Sequence, residues 1–190
     1  MERINIGVNT SLPMPVTLIG SIVEGKPNFM TAAWITRINA TPPYLAVGLN
    51  KARYTSLGIR EKRTFSVNLP GTDIVKETDY CGFTSGKKVD KSKIFDLFYG
   101  ELKTAPMIQK CPLCMECRLV DVYEMPTNNV FIGEIIATYT EEKYLTNGEL
   151  DIKKMNLMIL TMPDNHYWTI GEQVGDAWSI GKKLLKEKPD

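Results

Sequence analysis

The chain is poor in the residues that hydrolytic and metal chemistry usually demand: one histidine, His166, in 190 residues. Neither a serine elbow nor a paired acidic motif accompanies it, which argues against hydrolysis. An excess of charge of one sign is missing too. The formal net charge is +1, without a basic face or a long charge run, so broad electrostatic capture of nucleic acid or of an anionic membrane is excluded. No apolar run reaches bilayer-spanning length, and MERINIGVNT lacks a basic segment followed by an apolar core, so no membrane partner and a cytoplasmic location are expected. Cysteine is sparse. Three of the four fall in Cys111-Pro-Leu-Cys114-Met-Glu-Cys117, a pattern of thiols, metal ligands or core residues of a reducing compartment rather than a secreted disulfide framework. The sequence contains no internal repeat, linker, low-complexity segment or G-x-G-x-x-G motif.

What is present suits one well-filled core: apolar residues make up 43% and charged residues 24%, so residues 1–190 are expected to form a single domain. Val16 to Val23 reads as a first strand, and Glu24-Gly25-Lys26-Pro27 as the turn of a hairpin into a second. That second strand places Met30, Ala32 and Trp34 on one face and Thr31, Ala33 and Ile35 on the other. Tyr44 to Leu49 is a third strand, Tyr54 to Arg63 a helix, and Phe65 to Leu69 alternates as a half-buried strand. A short helix over Thr72 to Tyr80 leads to a loop at Cys81 to Gly86, and Lys87 to Lys110 reads as loop with short helical pieces. Cys114 to Val122 and Val130 to Thr140 form a long antiparallel pair, Asn147-Gly148 a tight hairpin turn, and Leu157 to Met162 a buried strand. Asp176 to Leu185 has helical apolar spacing and closing lysines. Many strands, few short helices and one C-terminal helix point to a mainly β (α+β) chain built as a closed or split barrel.

Three stretches carry polar groups able to hold a ligand. Between Met30 and Trp34, small residues stand where a purely structural strand would put β-branched ones: either close packing, or a ligand lying along the backbone. Asn50, Lys51, Arg53, Tyr54 and Thr55 end an apolar run just before a helix. They form either a solvated turn with an N-cap or a cradle of cations and helix amides for a phosphate. In Cys81-Gly82-Phe83-Thr84-Ser85-Gly86 two glycines permit close backbone approach, and Ser85, Lys87 and Lys91 add donors to what is either a surface loop or a pocket wall.

The succession N-F-M-T-A-A-W, T-P-P-Y-L-A-V-G-L, the Arg53–Thr55 turn and F-S-V-N-L resembles the flavin reductase-like family, specifically its flavoredoxin-type members. The likeness continues through Cys81 to Lys91, Ala105 to Ile108, Met115 to Arg118 and Phe131 to Glu134, so it covers most of the chain. It implies the FMN-binding split-barrel fold and FMN as cofactor. On that likeness Met30, Thr31, Ala32, Ala33 and Trp34 lie along the flavin ring, and Asn50, Lys51, Arg53, Tyr54 and Thr55 take the phosphate. Cys81, Gly82, Ser85, Gly86 and Lys91 then belong to a second wall.

The resemblance further implies a flavoprotein oxidoreductase or electron-transfer protein, with the flavin receiving hydride or electrons and passing them to flavin, metal or protein acceptors. NAD(P)H or a redox protein would be the donor, and no side chain need be catalytic. A flavin-binding or storage module is the alternative. Strands apolar on both faces, and the pairing habit of the family, lead to the expectation of a homodimer with flavin near the interface. For Cys111, Cys114 and Cys117 no metal role is expected, because a strand beginning near Cys114 separates successive thiols by about 10 Å.

Overall fold

The structure, a computed structural model, describes residues 3–182 and 184. Its first hairpin joins β2 (Thr17–Val23) to β3 (Lys26–Ala32); β1 (Met14–Pro15) precedes them. Glu24 and Gly25 both take positive φ, 50° and 78°, the twist that suits a two-residue hairpin turn, so the strand resumes at Lys26 and Pro27 lies inside it. Pro27 is tolerated because β3 is an edge strand.

Seven antiparallel strands make the main sheet, in the order β3-β2-β6-β9-β10-β5-β4. The others are β4 (Ile35–Asn39), β5 (Tyr44–Asn50), β6 (Thr64–Leu69), β9 (Leu113–Glu124) and β10 (Asn128–Tyr139). β3 and β4 are successive in the chain yet stand at opposite edges. Only Ala33 and Trp34 connect them, which keeps the two edges within about 10 Å and forces the sheet to curl on itself. The result is a barrel split along the β3/β4 seam.

Alternation fills the interior: Leu45, Val47 and Leu49 from β5, Phe65 and Val67 from β6, and Cys117 and Leu119 from β9 meet Ile19, Met30 and Phe131 there. A second cluster covers the outside of β2, β3 and β6, where Leu18 and Phe29 pack on Ile74 and Cys81. It draws on α2 (Val75–Phe83) and a small pair, β7 (Leu97–Phe98) with β8 (Met107–Ile108). The helix α1 (Thr55–Lys62) lies directly on the β2 backbone through Gly58, where a Cβ would come within 2.8 Å of Val23 Cγ2.

Several expectations change. Met30 to Ile35 is not one strand: β3 stops at Ala32, and Trp34, 51% exposed, sits in the crossing before β4. β6 is buried on both faces rather than half-buried. Asn68 donates to the Leu18 carbonyl at 2.9 Å and accepts from the Ile108 amide at 3.0 Å, while the Ser66 hydroxyl donates to the Pro106 carbonyl, so the polar side of the alternation is satisfied under the second cluster. The helix after Thr72, preceded by a 3₁₀ turn, runs on through Cys81-Gly82-Phe83, which are therefore not loop. Residues 84–110 hold turns and the β7/β8 pair in place of helical pieces. Asp176 to Lys182 forms a turn and the 3₁₀ helix Ile180–Lys182 instead of an α-helix, Leu184 is helical, and Lys183 and Leu185 lie outside the described residues.

The Asn147-Gly148 turn does join β11 (Leu145–Thr146) to β12 (Glu149–Leu150), with positive φ at both residues. After α3 (Ile152–Met155), β13 (Met158–Thr161) pairs with β1 and with β14 (His166–Thr169), an extra strand that holds His166 at the surface. Among the described residues no helix is long and apolar enough to cross a membrane.

Candidate functional site

Between the end of β5, the start of α1 and the chain after α2 lies a cleft of about 270 Å³. β5 delivers Asn50 to its rim, where the side-chain oxygen accepts the Ala52 amide at 3.0 Å and the carbonyl accepts the Arg53 amide at 3.0 Å. This tight Asx turn aims the chain into α1. Tyr54 opens that helix in αR geometry without a side-chain cap, and the first turn carries no acidic residue. The positive end of α1 is thus left uncompensated by the protein.

From the opposite wall, Asn28 of β3 donates its amide to Thr55 Oγ1 at 2.7 Å, leaving the threonine O–H as a donor. Gly86 closes the floor. A Cβ there would collide with Asn28 Oδ1 and reach within 2.8 Å of Tyr54 Cδ1, so the cleft keeps its width only with glycine. Arg53 spends one guanidinium N–H on the Gly82 carbonyl at 2.9 Å, which fixes its plane and leaves most of its donor fork unused.

Lys91 lines the cleft but is only 2% exposed. Its Nζ donates to the carbonyls of Phe29 at 3.0 Å, Cys81 at 2.9 Å and Thr84 at 2.9 Å, which uses all three ammonium protons. Burial pulls its pKa below the ordinary lysine value; Cys81 opposes that shift and the nearby Arg53 charge adds to it. Among the described residues neither Arg53 nor Lys91 has a carboxylate in ion-pairing range. Two cations and a helix N-terminus share one cleft without an anion, an arrangement suited to one phosphate-sized anion.

Of the sequence-derived candidates, Met30, Asn50, Arg53, Tyr54, Thr55, Ser85, Gly86 and Lys91 come together around this cleft. Thr31, Ala32, Ala33, Trp34, Lys51, Cys81 and Gly82 do not line it. The Thr31 hydroxyl donates to the Thr78 carbonyl, Ala32 accepts from Thr17 at 2.7 Å, and Trp34 accepts from the Gly48 amide at 2.8 Å. Lys51 is exposed. Cys81 is buried, and desolvation pushes its thiol up to about 11 against the pull of Lys91. Asn28, Ala52 and Thr84 line the cleft without having been singled out. Asn28 was within reach, since the alternation that pairs Met30 with Ala32 extends back to it.

The three clustered cysteines separate. Cys117 points into the barrel and Cys114 into the outer cluster with Cys81 and Cys111, as an odd spacing on β9 requires. β9 begins at Leu113, so the strand-spacing argument holds for Cys114 and Cys117 and fails for Cys111 and Cys114, which a turn brings together. Among the described residues no three His, Cys, Asp or Glu side chains converge as a metal site.

Residues 9–167 match the model of the flavin reductase like domain. Among solved structures, flavoredoxin from Methanosarcina acetivorans superposes with a TM-score of 0.94 at 57% identity, over 97% of this chain and 100% of that one. Flavoredoxin of Desulfovibrio vulgaris (Miyazaki F) gives a TM-score of 0.88 at 32% identity, over 95% and 100%. An uncharacterised protein of Archaeoglobus fulgidus is 36% identical over 142 residues, 74% of this chain and 79% of its own. The fold, the matched domain and these likenesses show that the chain belongs to the flavin reductase-like family, with flavin-associated oxidoreductase or electron-transfer chemistry, and is of the flavoredoxin type.

Proposed function

We propose that the chain binds FMN and works as a flavoredoxin-like electron-transfer protein or flavin reductase. The observation that carries this reading is the pairing of Arg53 with buried Lys91 at the uncompensated start of α1, without a carboxylate among the described residues. A single terminal phosphate, as on FMN, suits that cradle; riboflavin offers it nothing. Arg53 would hold the phosphate through its free N–H groups, with Thr55 O–H and first-turn amides beside it. Lys91 would act through charge, since its protons already bond carbonyls. Met30 and the wall from Thr84 to Gly86 would flank the rest of the cofactor.

When bound, flavin supplies a ring that takes up hydride or electrons, and the protein sets its position and access. A homodimer is part of the same reading: Trp34 and Ile38 stand exposed beside the open β3/β4 seam, an apolar surface that a second copy would cover. Light scattering at twice the chain mass supports the pair, and a monomer that retains flavin removes it. The functional test is the visible spectrum of purified protein followed by anaerobic NADH or NADPH. Flavin bands that bleach identify a reductase, and bands that bleach only with a reduced redox protein identify a relay. A protein that takes up no FMN contradicts the proposal.

A further inference from the structure

Away from the flavin cleft, a cavity of about 180 Å³ is lined by Cys111 and Cys114 together with Phe98, Gln109, Tyr139, Thr140 and Glu141. None of these residues lines the cleft described above. Gln109, Thr140 and Glu141 are exposed, so the cavity opens to solvent, while Cys111 at 5% and Cys114 at 1% exposure form its deep end.

Local geometry brings the Cys114 thiol back against the turn that carries Cys111. The Cys111 amide donates to the Ile108 carbonyl at 3.1 Å, closing a turn, and Pro112 follows it. Cys114, the second residue of β9, then folds its thiol back over that turn, with Sγ 3.4 Å from the Ile108 carbonyl and 3.8 Å from the Cys111 carbonyl. The Cys114 thiol therefore faces the carbonyl oxygens of that turn, on the Cys111 backbone. Cys117 is on the opposite face of the sheet, and Cys81 is held against Lys91.

We propose that Cys111 and Cys114 are a dithiol–disulfide couple, a second two-electron redox centre served by small disulfides that enter this cavity. Cys111, the more exposed of the two, gives up its proton and attacks one sulfur of a disulfide RS–SR. An S–S bond forms to Cys111, the RS–SR bond breaks, and the departing RS⁻ takes up a proton. Cys114 then loses its proton and displaces the second RS⁻ as the Cys111–Cys114 bond forms. Two electrons pass from the protein thiols to the small disulfide, and two RSH leave.

Burial first, then the bond to Cys114 and the Asp73 charge, hold the Cys111 thiol well above the ordinary range. The surrounding charges are balanced: Asp73 pairs with Lys110 at 3.4 Å, and Glu141 with Lys143 at 3.0 Å. Exchange is therefore slow near neutrality and quickens about tenfold per pH unit as thiolate appears.

The test treats the whole native protein with the uncharged bis(2-hydroxyethyl) disulfide at pH 8 to 9. Remaining thiols are alkylated with one reagent, the protein is reduced, and the released thiols are labelled with a second before fragmentation by mass spectrometry. The expected result is a fall from four free thiols to two, with the second label on Cys111 and Cys114 and full recovery after dithiothreitol. Cys111→Ser and Cys114→Ser should each form no internal disulfide. Retention of all four thiols by folded wild-type protein overturns the proposal, as does a bridge that includes Cys81 or Cys117, or one that persists in Cys111→Ser.

Discussion

Two charged side chains are fully buried among the described residues, and the fold treats them in opposite ways. Glu116 on β9, 0% exposed, accepts from the Tyr139 hydroxyl at 2.7 Å and from the amides of Glu101 at 2.9 Å and Leu102 at 2.8 Å. It is a closed staple that ties the 100–102 loop to β9 and β10. Lys91 is equally bonded, to three backbone carbonyls, but it lines a cleft that it shares with a second cation, Arg53. The first charge lies away from the cleft, and the second lines it. The difference separates a charge that holds structure from one that waits for a ligand.

The largest effect should come from breaking the closed side. Glu116→Ala orphans two amides and a hydroxyl in the interior, and is expected to cost about 3 kcal/mol of stability while FMN affinity of the folded protein stays within about twofold. A denaturant midpoint that falls at unchanged slope, beside an unchanged flavin titration, checks it. The open side should behave in reverse. Arg53→Ala is expected to raise the FMN dissociation constant about tenfold to hundredfold, from the loss of charge-assisted bonds worth about 1.5–3 kcal/mol, with stability nearly unchanged. If that variant keeps its flavin, the phosphate lies elsewhere.

How much of this was legible beforehand follows the same division. The β2/β3 hairpin, the β9/β10 pair and the Asn147-Gly148 turn were readable because alternation and turn residues are local signals. β6 was misjudged because Ser66 and Asn68 look solvated until the segment around Pro106 and Ile108, distant in sequence, folds over them. The break at Ala33-Trp34 is topological: no local residue says that β3 and β4 end on opposite edges. In the cleft, Arg53, Thr55 and Gly86 were named from the sequence because cations before a helix and glycines in a loop have local meanings. Lys91 was also named, but its burial depends on Phe29, remote in the chain. The closeness of Cys111 and Cys114 escaped notice because the start of β9 decides it.

A steric change sharpens the comparison further. Gly86→Ala drives a methyl against Asn28 and Tyr54 across the cleft, and is expected to cost about 1 kcal/mol of stability and several-fold in FMN affinity. Parallel melting and titration would separate the two losses; an unchanged affinity means that the cofactor does not use this wall.

The smallest effect concerns the loop that leads into Lys91. Bonds from the Ser92 hydroxyl and amide, assisted by Lys26, hold the Asp90 carboxyl down at about 2 against an ordinary 3.8. A depressed carboxyl stabilises the fold above its unfolded value, so the contribution is complete above pH ~4 and disappears as the pH falls toward 2. Asp90→Asn should flatten melting temperature against pH in that window alone, and a wild-type slope in the variant would assign the acid sensitivity to other groups.

The central claim is that the open pair of cations binds one phosphate. Titrating the apo protein with FMN and with riboflavin, in wild type and in Arg53→Ala, tests it most directly. The account predicts that FMN binds wild type at least about tenfold more tightly than riboflavin and that the variant loses most of that gap. Equal affinity for the two flavins in wild type would contradict it.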